Sequence, residues 1–290
     1  MSSGNTSVRP GDEEAPDAGG AGYTSPYTLR FSVPQPLLDA GFDQAPWNDP
    51  DAEGSLAFGI WEAGHKEVPG AAWGPPARQY PAPQLPRQDA TYQRERVLNV
   101  AARQIGLAYQ HHHVPSWNPP PGWPWLPVRA GANGPGLDCS NFSSFTFNYA
   151  LGIKLPTGIG AQGRWRHLAG PGGTGCLVAE PLHARETAML IGRLQPADLL
   201  YFRNERGAIR HVALWLGSVG QGGTPLVIDC TQRRQLDSAG RPIPLGVQIR
   251  PFLLSGWYGR HFSHAHRLVG AAPAACHAPA APVPEGDDRG

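Results

Sequence analysis

The chain has 290 residues, enough for one large domain or two small ones. Its formal net charge is +1, from 24 basic and 23 acidic residues, a balance that leaves no footprint for a polyanion and argues against nucleic acid as partner. Charged residues make up 16% of the chain, against 37 glycines and 32 prolines, which points to long irregular segments around a compact core.

In chain order, residues 1–25 are rich in Gly, Ser, Asp and Glu and read as a disordered N-terminus. They hold neither a basic n-region nor an apolar h-region, so no classical signal peptide is expected. The expected location is cytoplasmic, or outside by a signal-less secretion route. No stretch approaches the roughly 18 apolar residues of a membrane span. Residues 26–90 alternate short apolar runs, Leu29 to Val33 and Leu56 to Trp61, with Pro- and Gly-rich stretches, and read as a loop-rich extension over a core. From Tyr92 to Gly106, Val97, Val100, Ala101 and Ile105 recur at helical spacing, with Gly106 as a stop. The segment 110–137 is too Pro-rich for regular structure, yet it carries Trp117, Trp123 and Trp125. Loops this long are usually functional or disordered, and the three rings argue against disorder: they either roof a cleft or anchor the loop to the core.

A second helix is expected from Asp138, with Phe142, Phe145, Tyr149 and Ile153 on one face and Gly152 at its end. A Gly-rich stretch, 158–176, follows. The last third reads as strands: Asp198 to Phe202, His211 to Leu216, Leu226 to Asp229, Val247 to Arg250 and Ser263 to Val269. The tail 270–290 is Ala/Pro-rich and reads as disordered. Helices followed by a run of antiparallel strands make the expected fold class α+β, with 91–269 as the catalytic-type domain.

Four cysteines, at 139, 176, 230 and 276, fit no CxxC zinc pattern, and their spacing selects no disulfide pair. Cys139 falls in the first turn of the second helix. There the dipole and the unpaired N–H groups favour a thiolate and can hold an oxyanion. The bland alternative is a small buried residue at a helix start. His211 opens the clearest strand, a rigid platform from which an imidazole can reach a helix N-terminus. Asp229 interrupts an apolar strand, either as a turn residue or as the group that orients His211. Period-two alternation turns Cys230 to the opposite face from Asp229. His111 to His113 and the His264/His266 pair lack a further ligand, so neither metal nor another cofactor is expected.

These residues together resemble a known family. Leu137-Asp138-Cys139-Ser140-Asn141-Phe142 is similar to the Asp-Cys-Ser-Gly/Asn-Phe motif of NlpC/P60 peptidases. Leu194 to Phe202 resembles the family's Leu-x-Pro-Gly-Asp-Leu-x-x-Phe, His211 to Gly217 its His-Val-Gly-Ile-Tyr-Leu-Gly, and Ile105 to Tyr109 its Gly-x-Pro-Tyr. The resemblance covers about Val97 to Val269. It implies a papain-like core and hydrolysis of amide bonds in bacterial cell-wall peptides, between γ-D-glutamyl and a diamino acid. It further implies Cys139 as nucleophile, His211 as base, and Asp229 where the family often has His. Tyr109 would line the cleft, and Asp138 and Ser140 would meet the peptide's free amine. The expected partners are peptidoglycan peptides or muropeptides; a chain exported as a wall-lytic toxin would also call for an immunity or inhibitor protein. The alternatives are a non-catalytic wall-binding module, and an amidase or acyltransferase on another substrate. The sequence does not fix the oligomeric state.

Overall fold

A computed structural model describes residues 23–41, 80–107, 109, 137–156, 158–183 and 187–270. The Trp/Pro-rich insert, His111 to His113, the run Leu56 to Trp61, residues 1–22 and the tail 271–290 lie outside them.

Two helices and one sheet build the centre. Helix α2 (Ala90–Ala102) follows α1 (Gln35–Leu38) and is capped by Asp89, whose side chain accepts the Tyr92 N–H at 2.9 Å. It stops four residues short of the Gly106 that the sequence suggests. The chain tightens into turns there, and Gly106, at φ 96°, donates its N–H to the Val247 carbonyl. A strand partner has taken the backbone before the helix could continue. Helix α3 (Cys139–Leu151) has Asp138 as its N-cap, and Gly152, at φ 69°, ends it in the left-handed conformation. Arg96 on α2 is buried and donates from Nε to the Ala150 carbonyl at 2.9 Å, which fastens the two helices together.

Among the described residues the strands are, in chain order, β1 (Thr28–Leu29), β2 (His167–Ala169), β3 (Cys176–Val178), β4 (Glu180–Leu182), β5 (Leu199–Arg203), β6 (Ile209–Trp215), β7 (Gly220–Gln221), β8 (Leu226–Thr231), β9 (Gln235–Leu236), β10 (Pro242–Ile243), β11 (Gly246–Pro251) and β12 (Phe262–Arg267). Between them lie the short helices α4 (Ile159–Gln162), α5 (Thr187–Ile191) and α6 (Trp257–His261). Six strands form one sheet in the order β11-β8-β6-β5-β12-β4, every pair antiparallel. The expected α+β class is what the chain adopts, and each of the five expected strands is present within a residue or two. Not foreseen were the β2–β3 hairpin inside the Gly-rich stretch and β4, which closes the sheet edge beside β12. Their residues show no alternation long enough to read.

Alternation along the strands divides the apolar interior in two. Val212, Leu214, Ile228, Cys230 and Val247 face α2 and α3, with Phe142 and Val97 in the same core. Ala213, Trp215 and Val227 face the other way, against Phe252, Tyr258 and Phe262. The N-terminal segment joins the first core: β1 pairs with β7, and the Tyr27 ring is buried there. Glu95 accepts the N–H of Ser32 at 3.0 Å and that of Val33 at 2.8 Å, and Arg96 Nη1 reaches the carbonyls of Leu38 and Ala40 at 2.8 Å. No helix among the described residues is long and apolar enough to cross a membrane.

On β12, His264 and His266 are buried against Tyr201. His264 Nε2 meets the Gly163 carbonyl at 2.9 Å, and Arg166 Nη1 lies 2.6 Å from His266 Nε2. Burial pushes both rings down from an ordinary 6.5, to about 4 for His264 and about 3 for His266, with the Arg166 charge adding to both shifts.

The fold yields two tests. Ala197, at φ 68°, is the one non-glycine residue with positive φ among the described residues, and it stands where the resembling motif has Gly. An L side chain there costs roughly 1–2 kcal/mol, against the roughly 0.5–1 kcal/mol of entropy that glycine forfeits. Ala197→Gly is therefore predicted to raise the melting temperature by about 1–3 °C. Gly152→Ala is predicted to lower it, because the new Cβ would sit 2.9 Å from both Ala82 Cα and Gly172 N. A drop with Ala197→Gly would mean the turn depends on the methyl group. The second test is acid stability. The unfolded histidines take up protons as pH falls below 6.5, while the folded ones do so only near 4 and 3. The unfolded chain thus holds more protons through this window, and stability is lost as pH falls. Asp198, pushed up by burial against the pull of Arg267, contributes with the opposite sign. Thermal melts from pH 7 to pH 4 should show a falling midpoint, with a flatter profile for the His264→Gln, His266→Gln double variant. An equally steep profile would assign the acid sensitivity to other groups.

Candidate active site

The site sits where the start of α3 meets the start of β6. Asp138 Oδ1 accepts the Asn141 N–H at 2.8 Å, the Asn141 side-chain amide at 2.9 Å and the Ser140 hydroxyl at 2.9 Å. The carboxylate therefore holds the first turn closed, and Ser140 is buried beside it. Cys139 opens that turn with its side chain in the larger core, 7% exposed. Burial pushes its thiol well up, the Asp138 charge adds to the shift, and the N–H groups of Val212 and Ser140 oppose it. The helix N-terminus favours a thiolate, as the sequence suggests, but here desolvation outweighs it. The resting group is a thiol.

Tyr109 forms a bridge to Leu137, and burial raises its hydroxyl, with the Asp138 charge adding to the shift. Cys230 lies in the same core and donates from Sγ to the Leu137 carbonyl at 2.9 Å. It faces away from Asp229, as alternation requires. Cys139 and Cys230 are in the reduced form, whereas Cys176 is disulfide-bonded.

His211 and Asp229 meet on the other face of the sheet. His211 is paired with Phe202 across β5–β6, and Asp229 follows Val227 on β8. The His211 Nε2 to Asp229 Oδ2 distance is 2.6 Å. Two further partners, not foreseen from the sequence, complete the carboxylate. Arg250 Nε donates to Oδ1 at 2.9 Å and the Tyr258 hydroxyl donates to Oδ2 at 2.5 Å. Burial alone would push the Asp229 carboxyl up; the hydrogen bond and charge of His211, with Arg250 and Tyr258, outweigh it and hold the group below the usual carboxylate range. An ionised carboxylate only accepts, so Nε2 carries the proton and Nδ1 is left as the basic nitrogen. The rings of Phe202, Trp257 and Tyr258 surround the imidazole at 5.7, 5.8 and 6.2 Å. Arg250 could have been suspected as a charge in an apolar strand; nothing in the local sequence marks Tyr258.

The structure thus brings His211 and Asp229 together, and Cys139 with Asp138, Ser140 and Tyr109. The two groups join through the backbone: the Cys139 thiol faces the N–H of Val212, the residue after His211. Among the described residues no hydrogen bond links the Cys139 and His211 side chains, because alternation turns them to opposite faces. No group of three or more metal-ligating side chains occurs among the described residues.

The NlpC/P60 family profile matches residues 127–236, a span that holds Asp138, Cys139, His211 and Asp229. No curated protein matches the chain. Solved structures that resemble it include an NlpC/P60 family protein from Bacillus cereus ATCC 10987, with 19% identity over 65% of this chain and 41% of that one, at a TM-score of 0.35. Another is the NlpC/p60 domain of the peptidoglycan hydrolase SagA, with 18% identity over 59% of this chain and 96% of that one, at a TM-score of 0.32. The chain spans less than half the length of the Bacillus cereus protein. At such scores neither superposition carries an argument, so the assignment stands on the matched segment. The segment that matches the NlpC/P60 family profile holds the motifs seated on α3, β5 and β6.

Proposed function

We propose that the protein is a cysteine peptidase that hydrolyses amide bonds in bacterial cell-wall peptides, at a γ-D-glutamyl–diamino acid bond. The observation that carries this reading is the buried His211–Asp229 pair at the start of β6, one residue from the N–H that meets the Cys139 thiol. In the proposed reaction the His211 ring turns past the edge of β6 and its Nδ1 takes the thiol proton. The thiolate then attacks the substrate carbonyl, and the N–H groups at the start of α3 hold the oxyanion. His211 returns the proton to the leaving amine, and water cleaves the thioester with His211 again as base. Asp229 fixes the tautomer and stabilises the imidazolium. Tyr109 lines the cleft, and Asp138 with Ser140 is the proposed contact for the peptide's free amine, its charge already beside Cys139.

Because burial disfavours a free thiolate, proton transfer is expected to follow substrate entry. One observation favours a second reading. The separation of Cys139 and His211 onto opposite faces suits a domain that binds wall peptides without turnover.

Mass spectrometry of muropeptides incubated with wild type and Cys139→Ala separates the two. Cleavage by wild type alone is the predicted result; intact muropeptides in both samples, with peptide still bound, would leave the binding module. A second prediction concerns the carboxylate. Asp229→Asn should lower kcat by about 10²-fold or more, because the amide no longer enforces the tautomer. Tyr258→Phe should lower it less and shift the acid limb of the kcat profile, since the carboxylate keeps Arg250. Equal activity of Asp229→Asn and wild type would falsify the orienting role.

A further inference from the structure

A cleft of about 400 Å³ opens beside His211 on the face away from Cys139. Its walls come from three places in the chain. The β5–β6 turn supplies Glu205 and Arg206, held by Asn204, whose Oδ1 accepts the N–H of Arg206 at 3.1 Å and of Ala208 at 3.0 Å. Strand β6 supplies Arg210, the residue before His211, and the segment after β8 supplies Arg233. Helix α6 supplies Trp257 and His261, their rings stacked at 4.9 Å.

Three guanidinium groups face one carboxylate in this space. None of the three is in an ion pair among the described residues. Like charges gathered in one cleft repel unless an anion enters, so the arrangement is favourable only with a ligand of opposite sign. One of the cations is already placed: Arg233 Cζ stands 4.1 Å over the Trp257 ring, and that ring is 5.8 Å from His211. Stacking fixes the plane of the guanidinium and leaves its N–H edge for a two-point bond, the geometry a carboxylate matches.

We propose that this basic cleft binds a free carboxylate of the substrate peptide. The proposal rests on the peptidase reading: an amide made through the γ-carboxyl of a glutamyl residue leaves the α-carboxylate free, three carbons from the scissile carbonyl. The cleft borders the reacting groups through Arg210, adjacent to His211 in sequence, and Trp257, whose ring is 5.8 Å from the imidazole. Recognition of that carboxylate would set the substrate's register across the start of β6. Inorganic phosphate offers the same oxyanion chemistry and is the alternative source.

The test is calorimetric titration of full-length Cys139→Ala protein, at constant ionic strength, with an L-Ala-γ-D-Glu-diamino acid peptide as the free acid and as its D-Glu α-amide. The free acid should bind at least about tenfold more tightly, the scale of a charge-assisted hydrogen bond. Adding Arg210→Gln and Arg233→Gln should remove the preference and leave the affinity for the amide unchanged, with melting temperatures confirming that the variants fold. Equal affinity for acid and amide, absence of binding by the free acid, or a preference that survives the double substitution overturns the proposal. Saturable binding of inorganic phosphate that the double variant loses, with no preference between acid and amide, also overturns it and assigns the cleft to phosphate. Turnover plays no part in this titration. Cleavage of muropeptides by wild type without an acid preference sinks the cleft alone; an acid preference without cleavage sinks the peptidase reading alone.

Discussion

An ionised carboxylate removed from water loses several kcal/mol of solvation unless donors replace it, and Asp229 has no exposure at all. Three donors replace the water, each from a different element: His211 from β6, Arg250 from β11 and Tyr258 from α6. Arg250 is itself buried and spends Nη2 on the carbonyls of Pro244 and Gly246 at 2.8 and 3.1 Å. The charge on Asp229 therefore holds two strands and a helix against β8. Removing Arg250 would strand that charge, a loss of about 3–5 kcal/mol for a buried pair broken on one side. The same charge decides which nitrogen of His211 is protonated, so fold and chemistry depend on a single group.

The sheet imposes the second constraint. A strand shows successive side chains to opposite faces, and both faces of this sheet are covered. Cys139 must lie on the face that α3 covers, and the His211–Asp229 pair on the face that α6 covers. The two meet only at the start of β6, where the strand leaves the β5–β6 turn and the ladder slips between Phe202 and Arg203. A register irregularity lets a strand end bend, and this one falls beside His211. The dry surroundings that raise the thiol also strengthen every charge interaction a substrate would make there.

Much of this was legible in the sequence. The core strands carry their apolar residues in runs bounded by turn residues, and α3 is framed by a capping Asp138 and a terminating Gly152. The parts that were not legible depend on distant partners. Strand β4 is Glu180, Pro181 and Leu182, a poor strand by composition, and it exists because β12 offers an edge. Arg250 reads as a strand-end charge until Asp229 is placed beside it, and Tyr258 lies 29 residues from the carboxylate it contacts. The state of Cys139 was misleading for the same reason: the helix start is local and favours a thiolate, whereas the burial that overrides it comes from the sheet.

The described part of residues 26–90 is tied to the core through charge as well as apolar contact. Glu95 and Arg96 are adjacent on α2, both buried, and neither is paired with the other. Glu95 spends its carboxylate on the N–H groups of Ser32 and Val33, and Arg96 spends its guanidinium on the carbonyls of Leu38, Ala40 and Ala150. An acid facing donors and a base facing acceptors fix both ends of the 32–40 segment against one turn of helix. If that segment were removed, Glu95 would lose the N–H groups of Ser32 and Val33, and Arg96 would keep Ala150 but lose the carbonyls of Leu38 and Ala40, so part of their desolvation would stand uncompensated. A chain begun at residue 91 would carry that loss, because Ser32, Val33, Leu38 and Ala40 supply the groups that engage Glu95 and Arg96.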